Sequence, residues 1–225
     1  MVDSFINPEK MIGAIYLTYY DQGDLTGYVK KESGTPIAND ITWNIFTNIC
    51  AALAYCHHGI RSPHDDANPP PTWSAIIHRD IKTDNIFLQS NPTAPGNIIA
   101  ILGDFDWSTN HSLERTIYRR PTDGSSYQSP ADPRWLPPES PRYTMASDVW
   151  GLGAVVTCMC RLVASPEECQ VSDGVPPSSS SGGRLGPALQ RLVKRAVAWE
   201  PRERLSVWGL WRGIVEAEAE AEAGK

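Results

Sequence analysis

The chain has 225 residues, with 20 Lys and Arg against 26 Asp and Glu, and therefore a formal net charge of −6. Hydrophobic residues make up 41% of the sequence, which is enough for a sizeable core in one domain or a close pair of subdomains and excludes an extended disordered chain. Because the balance is acidic and no basic stripe is present to neutralise phosphates, the composition argues against a dedicated nucleic-acid-binding protein.

Cysteine use and hydropathy bear on the compartment. The five cysteines form no CxxC pair, and this odd, sparse set favours a reducing intracellular compartment, cytoplasmic or nuclear, over a disulfide framework. No stretch approaches the ~20 apolar residues that a membrane span needs, so no membrane partner is predicted. The N-terminus carries Asp3 and Glu9 and lacks a basic start before an apolar run, which argues against a signal peptide.

The first predicted elements are a strand and two helices. Residues 12–20, IGAIYLTYY, are β-branched and aromatic and predict a buried strand. Asp24 is expected to cap a short helix, LTGYVKK, that ends by Gly34. A longer helix is predicted over about residues 39–59, because its apolar residues recur with a 3.6-residue period.

The middle of the chain predicts loops around one hairpin. Residues 61–73 are polar and proline-rich and indicate an exposed insertion loop. Apolar runs at residues 86–88 and 98–102 flank a turn sequence and predict two paired strands. Residues 107–143 show no sustained period and are expected to form a long loop segment.

The last third predicts three helices. Ser147 and Asp148 are expected to cap an apolar helix that runs to about Leu162. A Ser/Gly-rich connector at residues 176–183 separates it from the next helix, and a last helix begins near Ser206 and continues into a Glu/Ala tail. The predicted layout is therefore mainly helical, with one hairpin and one strand near the start.

The densest group of chemistry-bearing residues is HRDIKTDN at residues 78–85, followed by the hairpin and then DFD at residues 104–106. Asn85 is expected to start the first strand of the hairpin and Asp104 to follow the end of the second, so both lie at the same edge. Two oxygen ligands at one edge suit Mg²⁺, which is a hard cation. HRD, an Asn after a four-residue gap, a hairpin and then Asp-Phe resemble the catalytic loop and metal-binding segment of protein kinases.

The resemblance is to the C-terminal lobe of a eukaryotic-type serine/threonine protein kinase and covers about residues 12–212; the hinge and the GDL sequence also resemble those of the NIMA-related kinases. It implies an α+β protein-kinase-like fold with a mainly helical C-terminal lobe, a short β-hairpin and a largely absent N-terminal lobe. The implied kinase-like domain is 1–212, with a hinge near 17–21, an activation segment at 104–139 and a helical tail at 213–225.

The resemblance also assigns roles to residues of the catalytic loop. Asp80 would accept the proton of the attacking hydroxyl group, and Lys82 would neutralise charge on the transferred phosphoryl group. Asn85 and Asp104 would hold Mg²⁺ on the phosphates of ATP, which Lys82 also contacts. ATP and Mg²⁺ are therefore the implied cofactors, and the implied partner is a protein that offers a Ser or Thr hydroxyl.

Other segments match the family in the same order. The hinge would place Leu17 as the gatekeeper residue and the backbones of Thr18 and Tyr20 against adenine. Pro138-Glu139 resembles the end of the activation segment, and Arg204 resembles the arginine that pairs with that glutamate. The departures matter as well: Asp106 stands where the family has Gly, although Asp148 keeps the helix position that supports the catalytic loop.

The sequence leaves two functions open. The retained catalytic loop favours a serine/threonine protein kinase of the non-specific class. The lack of a GxGxxG loop and of a Val-Ala-x-Lys strand favours a catalytically inactive kinase-like fragment, which would bind a protein partner through the exposed lobe-facing surface and the 61–73 loop.

Several histidines and cysteines have a simpler structural interpretation. His78 is expected to be a structural core histidine. The adjacent His57 and His58 make a poor metal pair, and solvation at the helix end is the expected state. Cys158 and Cys160 lie in an apolar helix, where packing explains them best.

Overall fold

The computed structural model describes residues 3–32, 34–65, 72–94, 96–110, 132–169, 171 and 186–223. Within these residues the chain forms three two-stranded antiparallel sheets and a set of helices. The strands are β1 (Asp3–Asn7), β2 (Ile12–Tyr16), β3 (Ile76–Ile77), β4 (Ile86–Ser90), β5 (Ile98–Leu102) and β6 (Thr109–Asn110). The helices are α1 (Leu25–Lys31), α2 (Asn39–His58), α3 (Met145–Arg161), α4 (Pro187–Ala196) and α5 (Val207–Ala223).

Helix α2 lies at the centre of the core. It packs against β5, α3 and α5, and its buried face carries Ile45, Phe46, Ile49 and Leu53, which are all fully buried. Burial of each such side chain contributes roughly 1.5–3 kcal/mol. The helix ends at Gly59, whose φ of 69° is left-handed and favours glycine. The predicted helix at residues 39–59 is therefore confirmed.

The predicted hairpin is also confirmed and is slightly longer than expected. Strands β4 and β5 pair from Ile86 opposite Leu102 to Ser90 opposite Ile98. Their inward residues are buried against the helical core, and Ile86 and Leu88 are fully buried. This register brings Asn85, the residue before β4, next to Gly103, the residue after β5.

The prediction of a buried strand at residues 12–20 is wrong in its burial and its length. The strand ends at Tyr16 and pairs with β1, and the exposed fractions are 52% for Ile12, 68% for Ile15 and 69% for Leu17. Apolar composition indicates burial only where another layer covers the strand. In the part of the chain that the structure describes, no such layer covers this two-stranded sheet.

The start of α3 differs from the prediction. Thr144 is the N-cap, and its hydroxyl and that of Ser147 form a reciprocal capping box. Asp148 lies inside the first turn, and its carboxylate does not cap the helix but accepts hydrogen bonds from the backbone of His78 and Arg79. The short strand β6 and a 3₁₀ turn at Pro133–Trp135 fall within the segment predicted as one long loop.

The remaining helices match the prediction. Helix α4 buries Leu189 and Val193, and α5 runs without interruption into the Glu/Ala tail. The Trp43 indole N–H donates to Glu218 of that tail at 2.9 Å. The connector at 176–183 and parts of the predicted loops at 61–73 and 107–143 lie outside the described residues. Among the described helices, none combines the length and hydropathy needed to cross a bilayer.

Candidate active site

A buried carboxylate in α3 holds the backbone of the loop at residues 78–85. Asp148 Oδ2 accepts a hydrogen bond from the His78 backbone N–H at 2.8 Å, and Asp148 Oδ1 accepts one from the Arg79 N–H at 2.9 Å. Arg79 takes a left-handed φ of 72° there, and its guanidinium lies 5.4 Å from the centre of the Tyr143 ring. The side chain of Asp148 is therefore bound to the loop backbone, as the resemblance implied.

His57 is a further part of this support that was not predicted from the sequence. Its Nε2 lies 2.9 Å from Asp148 Oδ2, and the residue is 1% exposed, so the expectation of helix-end solvation is wrong. The helical period gives the reason, because His57 lies seven residues after the buried Cys50 and four after the buried Leu53. Extending the apolar face of α2 by one turn would have placed His57 in the core.

The structure brings Asp80, Lys82 and Asn85 together. Asp80 Oδ2 accepts hydrogen bonds from Lys82 Nζ at 2.8 Å and from Asn85 Nδ2 at 2.9 Å. The same amide nitrogen of Asn85 donates to the Asp80 carbonyl oxygen at 2.8 Å. Asp80 is 5% exposed, and its Oδ1 has no hydrogen-bond partner among the described residues. One oxygen is thus fixed, and the other is an acceptor that no described residue uses.

Asp104 lies beside this group through the register of the hairpin. The Gly103 N–H donates to the Asn85 carbonyl oxygen at 3.0 Å, and the Gly103 carbonyl oxygen lies 3.0 Å from His78 Nε2. Asp104 is the next residue, is exposed and has a φ of 59°. The unusual backbone is therefore at Asp104, while Asp106, where the resemblance expects Gly, keeps a negative φ.

The segment after β2 reaches the other end of this site. The Gln22 N–H donates to the Leu88 carbonyl oxygen at 3.1 Å, and Asp21 accepts hydrogen bonds from the backbone and hydroxyl of Ser90. The hydroxyl bond of Ser90 is the largest cause that lowers the pKa of Asp21 to about 2. These bonds fix the segment on β4.

An aromatic ring at the end of this segment stacks on a ring of β4. The rings of Tyr20 and Phe87 have centroids 5.6 Å apart. A Cβ at Gly103 would meet the Phe87 ring at 2.7 Å, so the ring packs closely over that backbone. The predicted residues Leu17 and Thr18 are exposed. Phe87 was missed in the sequence, because its strand pattern indicated only packing.

The predicted ion pair between Arg204 and Glu139 is present. Arg204 donates to both carboxylate oxygens of Glu139, at 2.7 and 2.8 Å, and its side chain is fully buried. Arg204 also donates to three backbone carbonyl groups, and the Ser147 hydroxyl donates to Glu139 at 2.6 Å. Burial raises the pKa of Glu139, but the hydrogen bonds of Arg204 and Ser147 outweigh it and lower that pKa below its ordinary value.

A pocket of about 390 Å³ is lined by residues of the 3₁₀ turn Pro133–Trp135, of α3 and of the 3₁₀ turn Pro166–Cys169. Arg134 at its edge pairs with Asp132 at 2.6 Å. The hydrogen bond from Arg134, with a smaller contribution from the charge of Lys82, lowers the pKa of Asp132. The residues that line the pocket include Pro133, Arg134, Trp150, Pro166, Glu167 and Trp199.

Among the described residues, no group of three or more His, Cys, Asp or Glu side chains is arranged to hold a metal ion. Asn85 and Asp104 could supply two oxygen atoms. Mg²⁺ is commonly bound by one or two protein groups together with the phosphates of a substrate, and two such oxygen ligands fit that pattern.

Comparison with known proteins identifies related chains. Residues 1–212 match the family described as "Protein kinase domain". The chain is 31% identical over 164 residues to the G2-specific protein kinase fin1 of Schizosaccharomyces pombe. This alignment covers 70% of this chain and 21% of that kinase. The chain is also 29% identical over 167 residues to the G2-specific protein kinase nimA of Emericella nidulans. This alignment covers 65% of this chain and 21% of that kinase.

A mouse relative is matched over more of the chain. The serine/threonine-protein kinase Nek1 of Mus musculus is 29% identical over 210 residues, which cover 87% of this chain and 15% of that kinase. The chain spans about a fifth or less of the length of these three relatives. The resemblance to the NIMA-related kinases is thereby confirmed.

Proposed function

The chain belongs to the protein kinase family, and from this premise we propose that it transfers the γ-phosphoryl group of ATP to a serine or threonine hydroxyl of a protein substrate. The observation that supports this most is the hydrogen bonding of the Asp80 carboxylate. Its Oδ2 is fixed by Lys82 and Asn85, and its buried Oδ1 is an acceptor without a partner in the described part of the chain. A substrate hydroxyl that reached Oδ1 would donate its proton there.

Lys82 and Asn85 position this base. Lys82 Nζ bonds to the same carboxylate at 2.8 Å while 19% of its side chain stays exposed, so the ammonium group can also face an incoming phosphate. Asn85 uses its amide nitrogen on Asp80, which leaves its amide oxygen as a metal ligand. Asp104 would supply the second ligand. Mg²⁺ bound with ATP would neutralise charge on the phosphate oxygens.

The nucleotide base would lie near Tyr20 and Phe87. Their stacked rings form an apolar surface at the end of the segment that is fixed on β4. We propose that adenine packs against this surface and that the backbones of Thr18 and Tyr20 bond to its edge. Phe87 is the residue that this proposal adds to the sequence-based site.

The test uses the purified chain with Mg·ATP and a generic protein substrate, and measures both the nucleotide-induced thermal shift and phosphate incorporation. Asp80→Asn should lower transfer by about 10²- to 10⁴-fold while the thermal shift is kept. Asp84→Asn is the matched control, because Asp84 is an exposed carboxylate in the same loop. Transfer that survives Asp80→Asn would refute the role of Asp80.

A second candidate function is binding of a protein partner without catalysis. It is supported by exposed apolar side chains in and around the N-terminal hairpin, where Ile6 is 82% exposed, Met11 89% and Tyr19 85%. This lobe-facing surface and the 61–73 loop would contact the partner. A chain that shows no thermal shift with Mg·ATP at millimolar concentration would favour this function over phosphoryl transfer.

The proposed compartment is intracellular. All five cysteines are free, which fits a reducing environment.

A further inference from the structure

Two buried cysteines that take no part in the proposed phosphoryl transfer lie against each other. Cys158 in α3 and Cys169 in the 3₁₀ turn Pro166–Cys169 have sulfur atoms 4.0 Å apart. Their exposed fractions are 0% and 1%. The two residues are eleven positions apart, so their contact arises from the packing of the turn on the helix.

The surroundings of the pair give the two thiols different chemistry. The Cys169 sulfur lies 3.6 Å from the Pro166 carbonyl oxygen and 3.9 Å from that of Ser165, which accept its S–H. The Cys158 S–H is then the one that donates to the Cys169 sulfur. This hydrogen bond lowers the pKa of Cys169, with a further contribution from Arg161, and it raises the pKa of Cys158.

We propose that Cys158 and Cys169 form a reversible oxidation site, at which a peroxide converts the two thiols into an intramolecular disulfide. The Cys169 thiol first loses its proton, the resulting thiolate attacks one peroxide oxygen, the O–O bond breaks, and the leaving hydroxide takes up the released proton as water. The Cys158 sulfur then attacks the resulting sulfenic acid, the S–O bond breaks, and the hydroxyl leaves with the proton of Cys158 as a second water. Two thiols lose two electrons and two protons, and one peroxide becomes two waters.

The disulfide would move the turn. The sulfur atoms must close from 4.0 Å to about 2.05 Å. Helix α3 is buried along most of its length, whereas the turn has four residues and borders the pocket through Pro166 and Glu167. The turn would therefore shift toward α3 and change the wall of the pocket. This inference goes beyond the proposed function and does not depend on it.

The experiment uses the intact, reduced chain treated with hydrogen peroxide. Remaining thiols are alkylated, the chain is digested with trypsin without reduction, and the peptides are analysed by mass spectrometry. The expected product links the peptide 143–161 to the peptide 162–184 and separates again with dithiothreitol. Peptide 143–161 also contains Cys160, so fragment-ion sequencing must place the bond at Cys158.

Cys160→Ala is the matched control, because Cys160 lies two residues from Cys158 in the same helix. The wild-type chain and Cys160→Ala should both give the link, and Cys158→Ala and Cys169→Ala should both lack it. Oxidised wild-type chain should unfold at a higher temperature than reduced chain, because a cross-link restricts the unfolded state.

Three results would overturn the proposal. They are a link through Cys160, conversion of Cys169 to sulfinic acid without a link, and no link in the folded wild-type chain under conditions that link the urea-unfolded chain. The measurement on the wild-type chain tests the proposal even if a cysteine variant fails to fold. Thermal unfolding of each reduced variant separates a lost link from a lost fold.

Discussion

The imidazole of His57 lies 2.9 Å from the carboxylate of Asp148, and both side chains are almost wholly buried. Asp148 in turn holds the backbone N–H groups of His78 and Arg79. Because the carboxylate accepts the bond, His57 Nε2 carries the proton, and Nδ1 is left without a partner among the described residues. A residue of α2 thus orients the carboxylate that fixes the backbone of the loop at residues 78–85.

The first prediction concerns this positioning role. His57→Ala should destabilise the fold by about 1–3 kcal/mol, because it removes a buried partner of Asp148. It should also reduce phosphate transfer more than it weakens nucleotide binding. Urea unfolding, the thermal shift and transfer rates measure the three effects. His58→Ala is the control, since His58 is only half-buried; an equal loss of transfer in that variant would contradict the assignment.

The second prediction concerns the pair of Glu139 and Arg204. Arg204→Met should cost about 3–5 kcal/mol of unfolding free energy, because it leaves a largely buried carboxylate without its cation. The double variant with Glu139→Gln should recover part of that loss. Arg212→Met removes an exposed pair with Glu216 and should change stability by less than about 0.5 kcal/mol. Urea unfolding of these chains and of Glu139→Gln alone gives the free energies of unfolding. If the losses of the two single variants add up to the loss of the double variant, Glu139 and Arg204 do not stabilise the fold as a pair.

Periodicity and motif order predicted much of this arrangement. Helix α2 could be bounded from its apolar repeat and Gly59, and the hairpin from its two apolar runs. The hairpin then brings Asn85 and Asp104 to one edge, because antiparallel pairing fixes the register.

Contacts between distant segments could not be predicted in this way. The contact of Cys158 with Cys169 depends on how a short turn packs on α3, and no local pattern encodes it. The burial of residues 12–17 was mispredicted because burial depends on a covering layer, which a strand's own composition does not specify. His57 was recoverable, but only by extending the period of α2 to its last turn.

The third prediction concerns the backbone strain at Asp104. Its φ of 59° favours glycine, so Asp104→Gly should stabilise the fold by up to about 1 kcal/mol. The same change removes a proposed metal ligand and should abolish the Mg²⁺-dependent part of nucleotide binding. Asp106→Gly is the matched control, because Asp106 has a negative φ and should gain no stability. Unfolding and nucleotide titrations with and without Mg²⁺ test both effects; Mg²⁺-dependent binding that persists in Asp104→Gly would refute the ligand role.

The fourth prediction concerns pH and the bonds between Asp21 and Ser90. The hydroxyl and backbone bonds of Ser90 lower the pKa of Asp21 from 3.8 to about 2 in the folded chain. The unfolded chain therefore binds the proton more tightly, and the stabilisation by Asp21 is fully present above about pH 4 and lost as the pH falls through about 2.

The comparison of wild type with Asp21→Asn isolates this effect. The difference in urea unfolding midpoint between the two chains should be constant from pH 5 to 7 and should shrink steadily between pH 4 and 2. Ser90→Ala should reduce the same pH dependence, because it removes the hydroxyl donor but keeps the backbone bond. Asp3→Asn, at an exposed carboxylate in β1, is the control and should match wild type at every pH. A midpoint difference that does not change below pH 4 would show that the Asp21 carboxylate does not hold the segment on β4.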